Sequence, residues 1–236
     1  PYETYVLGGG EIDYQLRAFD KNGRFLKTIE PQLEPQDDLP GAEVDGAKLV
    51  FTADAALQAG HVVAKMGDLT ATARVRAFPA LPWKFDFEDL KGPQSKPGWI
   101  NGQFPLLKPT EVDGSMTLLK SVPPSRPSSY VWIGPSKMSG YTIQADVRMA
   151  ELRRKLPYIG ITSQRYNLIL KGNLLKLSIQ SWAPHLRMAK EMRFRSDPDV
   201  WYTLKLKVDV QDGQAMVRGK VWKRGEEEPQ EWTIEA

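Results

Sequence analysis

The chain has 236 residues and a mass of 26.6 kDa, with 41% of residues hydrophobic and 26% charged, enough for one large domain or two small ones with real cores. It has no cysteine and only two histidines, His61 and His185, which excludes a disulfide scaffold, a thiolate metal site and a cysteine nucleophile and leaves little for a histidine triad. No apolar run approaches the roughly 18 residues that a membrane span needs, so we expect a soluble chain with no membrane insertion.

The net charge of +3 conceals an asymmetry. Residues 1–81 carry 8 Lys or Arg against 12 Asp or Glu, a balance of −4, whereas residues 82–236 carry 24 against 17, a balance of +7, and hold all seven tryptophans. The break falls at a proline-flanked connector, residues 79–82, and predicts two domains, 1–80 and 81–236.

In the first segment, residues 14–19 alternate, meet the turn sequence Asp20-Lys21-Asn22-Gly23, and return through residues 24–29, a hairpin pattern. Residues 48–52 form another short run. Residues 60–66 and 69–78 flank Gly67-Asp68 with period two, a second hairpin. Prolines at 31, 35 and 40 keep the intervening stretch out of a helix. Several short strands in about 80 residues predict a small β-sandwich. The run Leu16-Arg17-Ala18-Phe19-Asp20-Lys21-Asn22-Gly23-Arg24-Phe25-Leu26, with 59–70 and Ala73-Arg74-Val75, resembles a bacterial immunoglobulin-like domain, of the kind that serves as a spacer in secreted and surface proteins.

The second segment also reads as strands, at 83–88, 115–120, 130–134, 141–149, 158–163, 166–170, 174–180, 201–210 and 215–223. Residues 202–210 alternate, apolar at even positions, and Gln211-Asp212-Gly213-Gln214 turns the chain into the next strand. Residues 151–155 supply the one candidate helical turn. About ten strands predict a two-sheet jelly roll, so the fold class expected for the chain is all-β. The motifs Trp83-Lys84-Phe85-Asp86-Phe87-Glu88-Asp89, 141–148, Gln164-Arg165-Tyr166, Ser181-Trp182, Arg187-Met188-Ala189-Lys190, 199–206 and 217–222 resemble the C-terminal region of secreted bacterial proteins that carry a pyrroloquinoline-quinone-like β-propeller. That region is similar to the concanavalin A-like (LamG-like) jelly rolls, including the 3-keto-disaccharide hydrolase type. The resemblance implies an extracytoplasmic location, periplasmic, surface or secreted. It also implies a chain that belongs to a longer protein and whose jelly roll continues beyond Ala236. No propeller repeats are present, so nothing about quinone binding carries over.

Four kinds of chemistry bear on these residues. A glycosidase needs two carboxylates, and Asp86 and Glu88 have the i, i+2 spacing that shares one face of a strand, but alternation with Phe85 and Phe87 explains them as a solvated face, so no catalytic residue is assigned. Structural calcium calls for clustered oxygen ligands, for which Asp86, Glu88 and Asp89 are the candidates, although no D-x-D-x-D-G loop is present and Asp113-Gly114 reads as a turn. Otherwise no cofactor is expected. Glycan binding needs an aromatic platform beside hydrogen-bonding groups, and Tyr158, Gln164, Arg165, Tyr166 and Trp182 are the candidates, against the alternative that Tyr166 and Trp182 pack between sheets. The basic clusters Arg148/Arg153/Arg154/Lys155/Arg165 and Arg187/Lys190/Arg193/Arg195 lack a nucleic-acid motif and read as a solvated face or as a contact for an acidic polymer or protein, so no nucleic-acid partner is expected. The leading expectation is a non-catalytic module that contacts glycan or partner subunits. The rivals are a glycoside-processing enzyme and a purely structural component of a surface assembly.

Overall fold

The computed structural model describes residues 2–90, 96–100, 107–120, 130–181 and 186–236. The chain is all-β and of β-sandwich type. It divides into two compact units, Pro1–Pro135 and Ser136–Ala236, so the proline segment at 79–82 lies inside the first unit.

The first unit contains β1 (Glu3–Leu7), β2 (Gly10–Asp13), β3 (Leu16–Phe19), β4 (Phe25–Ile29), β5 (Gln32–Pro35), β6 (Glu43–Asp45), β7 (Lys48–Phe51), β8 (Gln58–Met66), β9 (Leu69–Phe78), β10 (Leu107–Val112) and β11 (Ser115–Lys120). Strands β1, β9, β8 and β5 form one sheet in that order, with β1 parallel to β9, and β2, β7 and β6 form another. Alternate residues of both sheets meet in one core, where Val6, Ile12, Leu49, Phe51, Val62 and Val75 are buried. The two hairpins expected here are present. In β3–β4 the carboxylate of Asp20 accepts from the amides of Asn22 at 2.8 Å and Arg24 at 2.9 Å, and Gly23 takes the positive φ that the turn requires. In β8–β9 the Gly67-Asp68 pair joins Met66 directly to its partner Leu69.

Residues 83–88 are not the strand that alternation predicts. Phe87 adopts a φ of 66°, which breaks the extended backbone, and in that conformation Phe85 and Phe87 both lie edge-on to buried Trp99, with ring centroids 5.0 and 5.6 Å away. Trp83 stacks on Phe78 at 5.4 Å and donates its Nε1–H to the Pro79 carbonyl at 2.9 Å. Aromatic packing therefore outweighs the period-two pattern. Residues 130–134 form no strand either; Trp132 makes a single antiparallel bridge to Ile100.

The second unit contains β12 (Thr142–Arg148), β13 (Tyr158–Ser163), β14 (Tyr166–Lys171), a 3-10 turn at Gly172–Leu174, β15 (Lys176–Ser181), β16 (Ala189–Arg193), β17 (Trp201–Gln211), β18 (Gln214–Lys223) and β19 (Ile234–Glu235). Two four-stranded sheets, β12-β17-β18-β19 and β13-β14-β15-β16, pack face to face over a core that includes Leu168, Leu170, Leu177, Ile179, Leu204 and Leu206. Each of these side chains is fully buried and contributes about 1.5–3 kcal/mol in removal from water. On β18 the residue facing Leu168 of the opposite sheet is Gly219: a Cβ there would stand 2.5 Å from Leu168 Cδ1. The alternation in β17 is as expected, and its outward side chains Trp201 and Lys205 lie under Arg224 and over Trp222 respectively.

Residues 151–155 form no helical turn. Leu152 and Lys155 exchange both backbone hydrogen bonds at 3.0 Å, and the two residues between them, Arg153 and Arg154, have φ of 52° and 62°. The chain therefore reverses in a two-residue turn with both central residues in the left-handed region.

Candidate functional site

The candidate glycan residues belong to the β13–β14 hairpin, and its geometry follows from the two-residue repeat. Ile159, Ile161, Leu168 and Leu170 face the core, which places Tyr158, Gly160 and Thr162 of β13 and Asn167, Ile169 and Lys171 of β14 on the outer face. The register continues across the sheet in rows: Tyr158–Lys171–Lys176–Arg193, then Gly160–Ile169–Ser178–Glu191, then Thr162–Asn167–Gln180–Ala189.

Hydrogen-bonding side chains dominate this face. Thr162 Oγ1 donates to Asn167 Oδ1 at 2.7 Å. Glu191 accepts from Lys171 Nζ at 2.7 Å through one oxygen and from Lys176 Nζ at 2.6 Å through the other. The Lys171 and then the Lys176 hydrogen bonds hold the Glu191 carboxyl down at about 2. The Oγ of Ser178 is buried without a hydrogen-bond partner among the described residues. Tyr158 is 53% exposed, next to exposed Gly160, so the ring has an open side.

The structure gathers some of the candidates and separates others. Gln164 and Arg165 are the two residues of the β13–β14 turn, with Tyr166 the first residue after it. Gln164 takes a φ of 54°, its amide donates to Tyr141 Oη at 3.3 Å, and its side-chain nitrogen is buried without a partner among the described residues. Arg165 is exposed, while Tyr166 is half-buried and packs against the core. Tyr158 stands at the opposite end of the same hairpin, about 17 Å away at the rise of five strand residues. Trp182 lies outside the described residues, as does His185.

The first of the two basic groups is also divided. Arg165 is at one end of β13 and the reversal carrying Arg153, Arg154 and Lys155 is at the other. Arg148 is tied down separately, with Nε and Nη2 on the carbonyl and carboxylate of Asp199 at 3.1 and 3.0 Å. The site residues that spacing does not reveal are Lys171, Lys176 and Glu191. They converge only through the pairing of β14, β15 and β16, and a cross-strand row has no signature until the register is known.

The candidate calcium carboxylates of the first unit are engaged elsewhere. Glu88 Oε1 accepts from Ser115 Oγ and from the Met116 amide, both at 2.9 Å, and Asp89 is paired with Lys96. The Lys96 hydrogen bond holds the Asp89 carboxyl below its ordinary range. Since residues 83–88 are not a strand, Asp86 and Glu88 do not share a pleated face, and the geometric argument for a carboxylate pair falls away. Among the described residues no group of three or more histidine and carboxylate side chains is placed to hold a metal ion.

His61 has one acidic partner. Asp38 Oδ1 accepts from the His61 amide at 2.9 Å and Oδ2 contacts Nδ1 at 2.8 Å. Burial pushes the Asp38 carboxyl up, but the amide and ring of His61 outweigh it and hold the group below its usual range. Among the described residues no hydroxyl hydrogen-bonds to this ring. No protein-family model matches the chain, and comparison with curated proteins and with solved structures likewise finds no match.

Proposed function

We propose that this chain is a non-catalytic binding and scaffolding module of a larger extracytoplasmic protein. In this reading an immunoglobulin-like spacer is followed by a concanavalin A-like jelly roll that contacts glycan or a partner subunit. The observation that carries the glycan contact is Tyr158. It is an exposed ring on the outer face of a sheet, flanked by the bare backbone of Gly160 and set in one row with Lys171 and Lys176. A pyranose presents an apolar C–H face that stacks on such a ring and a hydroxyl rim that meets ammonium, carboxylate and amide groups of the kind found across this face.

Isothermal titration of the full chain against a panel of neutral and acidic oligosaccharides tests the reading. Tyr158→Ala is expected to weaken the best ligand about tenfold, the scale of one lost aromatic contact. If no oligosaccharide binds and no partner is retained from native envelope material, the proposal is wrong. Turnover of aryl glycosides would instead favour the glycoside-processing alternative, with Glu88→Gln testing the carboxylate. Regular oligomers without ligand affinity would favour the purely structural one.

A further inference from the structure

Among the described residues the same two-residue reversal occurs three times with both central residues at positive φ. At 113–114 the residues are Asp-Gly, with φ of 54° and 77°, and at 212–213 they are again Asp-Gly, with φ of 51° and 76°. At 153–154 they are Arg-Arg, with φ of 52° and 62°. Aspartate and glycine tolerate this conformation; arginine does not, because its Cβ crowds the following carbonyl. The turn at 153–154 therefore carries two adjacent guanidinium groups at a backbone cost that the Asp-Gly turns do not have.

The surroundings indicate what they meet. The Leu156 amide donates to Asn173 Oδ1 at 2.9 Å and the Gly172 amide to the Pro157 carbonyl at 3.2 Å, so the reversal is bound to the 3-10 turn between β14 and β15. Phe194 N–H donates to the Leu175 carbonyl at 2.9 Å and brings the end of β16 alongside. Three tips therefore share one end of the sheet. Apolar side chains stand out from them into solvent: Leu152 is 57% exposed, Leu174 52% and Leu175 40%. Leu174, Leu175, Lys176, Glu191, Met192 and Arg193 line a shallow open hollow there. The one carboxylate of the hollow, Glu191, is matched by Lys171 and Lys176, while Arg153, Arg154, Lys155 and Arg193 have no ion pair among the described residues.

We propose that this end of the second unit docks on an anionic phospholipid surface. The guanidinium groups of Arg153 and Arg154 would meet lipid phosphates, and Leu152, Leu174 and Leu175 would enter the headgroup layer. Charge alone would suit any polyanion. Three leucines held at loop tips beside the cations suit an interface with an apolar layer just below its negative charge. No spanning segment is involved. The docking tips lie at the Tyr158 end of the sheet and share Lys176 and Arg193 with the Tyr158 row, but the leucines and the Arg153–Arg154 pair that would carry the lipid contact stand outside that row.

Co-sedimentation of the full chain with vesicles of phosphatidylcholine alone or mixed with phosphatidylglycerol tests the proposal. Binding is expected only to the mixed vesicles and is expected to fall as salt rises. The replacement Arg153→Asn with Arg154→Gly supplies the residues this turn prefers, so the thermal midpoint should hold or rise by about 3 °C. Vesicle affinity should fall about thirtyfold for two lost charges near the surface. Leu174→Ser should also weaken binding while leaving the midpoint within about 2 °C, as expected for an exposed position. Three results would each overturn the proposal: no sedimentation with anionic vesicles, equal sedimentation with neutral ones, or unchanged binding in Leu174→Ser, which would reassign the patch to a soluble polyanion. Leu174→Ser should weaken vesicle binding and leave oligosaccharide titration unchanged, because Leu174 stands outside the Tyr158 row, so failure here is distinguishable from failure of the glycan contact.

Discussion

The ammonium of Lys220 lies 5.0 Å from the centre of the Trp232 ring, with its remaining hydrogens on Glu228 Oε1 at 2.9 Å and the Pro229 carbonyl at 2.6 Å. Lys220 belongs to β18, whereas Glu228, Pro229 and Trp232 belong to the segment that follows it, so one buried cation fastens that segment to the outer face of its own sheet. Lys205 sits opposite Lys220 in the β17–β18 register and holds the other oxygen of Glu228. Two like charges on adjacent strands are thereby reconciled through a single carboxylate. The hydrogen bonds from Lys205 and then Lys220 lower the Glu228 carboxyl from its ordinary value.

Removing that carboxylate should therefore cost more than an ordinary surface pair does. We expect Glu228→Gln to lower unfolding free energy by about 1.5 kcal/mol, since it leaves Lys220 buried with a weaker acceptor and leaves Lys205 facing it. Urea denaturation checks this. In a double variant, Lys205→Met should recover part of the loss, because it removes the repulsion that Glu228 offsets. Equal losses with and without Lys205 would show that the two lysines are not coupled through Glu228.

Burial without a partner makes the opposite prediction at Tyr14. Its hydroxyl is enclosed beside the first unit's core with no hydrogen-bond partner among the described residues, and burial pushes its pKa up to about 12. Tyr14→Phe keeps the ring and removes only the stranded hydroxyl. Stability should rise by about 1 kcal/mol, read as a higher urea midpoint with an unchanged slope. A fall of similar size would mean that the hydroxyl has a partner after all.

How far these features can be read from the sequence depends on whether the deciding interaction is local. Asp113-Gly114 and Asp212-Gly213 announce their turns, because the residues that satisfy positive φ are the turn residues themselves. Arg153-Arg154 announces nothing, since Glu-Leu-Arg-Arg-Lys favours a helix and only the pairing of Leu152 with Lys155 forces the reversal. Phe87 is misread for the same reason: its alternation with Phe85 suggests a strand, while contact with Trp99, a dozen residues on, sets its backbone. In the candidate site, Tyr158 is legible as one of the rings that residues 158–166 combine with amide and guanidinium side chains. Glu191 is not, because its two lysines lie 20 and 15 residues away and meet it only across strands.

That cross-strand carboxylate predicts a specific acid response. With Glu191 held at about 2 by Lys171 and Lys176, against 4.5 for a free side chain, the folded state favours its ionised form. Its contribution is complete above pH 4.5 and is lost as pH falls toward 2. The urea midpoint of the unmodified chain should drop through this window. In Glu191→Gln the midpoint should be lower at neutral pH and vary less across the window, so that the two curves converge near pH 2. Parallel curves would show that the triad does not contribute to acid sensitivity.

The contact of Gly219 with Leu168 across the two sheets of the second unit gives the largest of these expected effects. Gly219 is buried on β18 between Leu206 of β17 and Ile234 of β19, and an added methyl group would stand 2.5 Å from Leu168 Cδ1 and 3.2 Å from Ile234 Cγ2. Leu168 is fully buried among core side chains of the opposite sheet, so it cannot swing away without displacing its neighbours. Gly219→Ala should destabilise the unit by about 2 kcal/mol, despite alanine's lower backbone entropy cost on folding. Pairing it with Leu168→Val, which makes room at the clash, should cost less than the sum of the two single changes, because the two residues share one space. Additive losses in thermal or urea denaturation would mean that the sheets separate locally to admit the methyl group, and that the contact between β14 and β18 is softer than its distance implies.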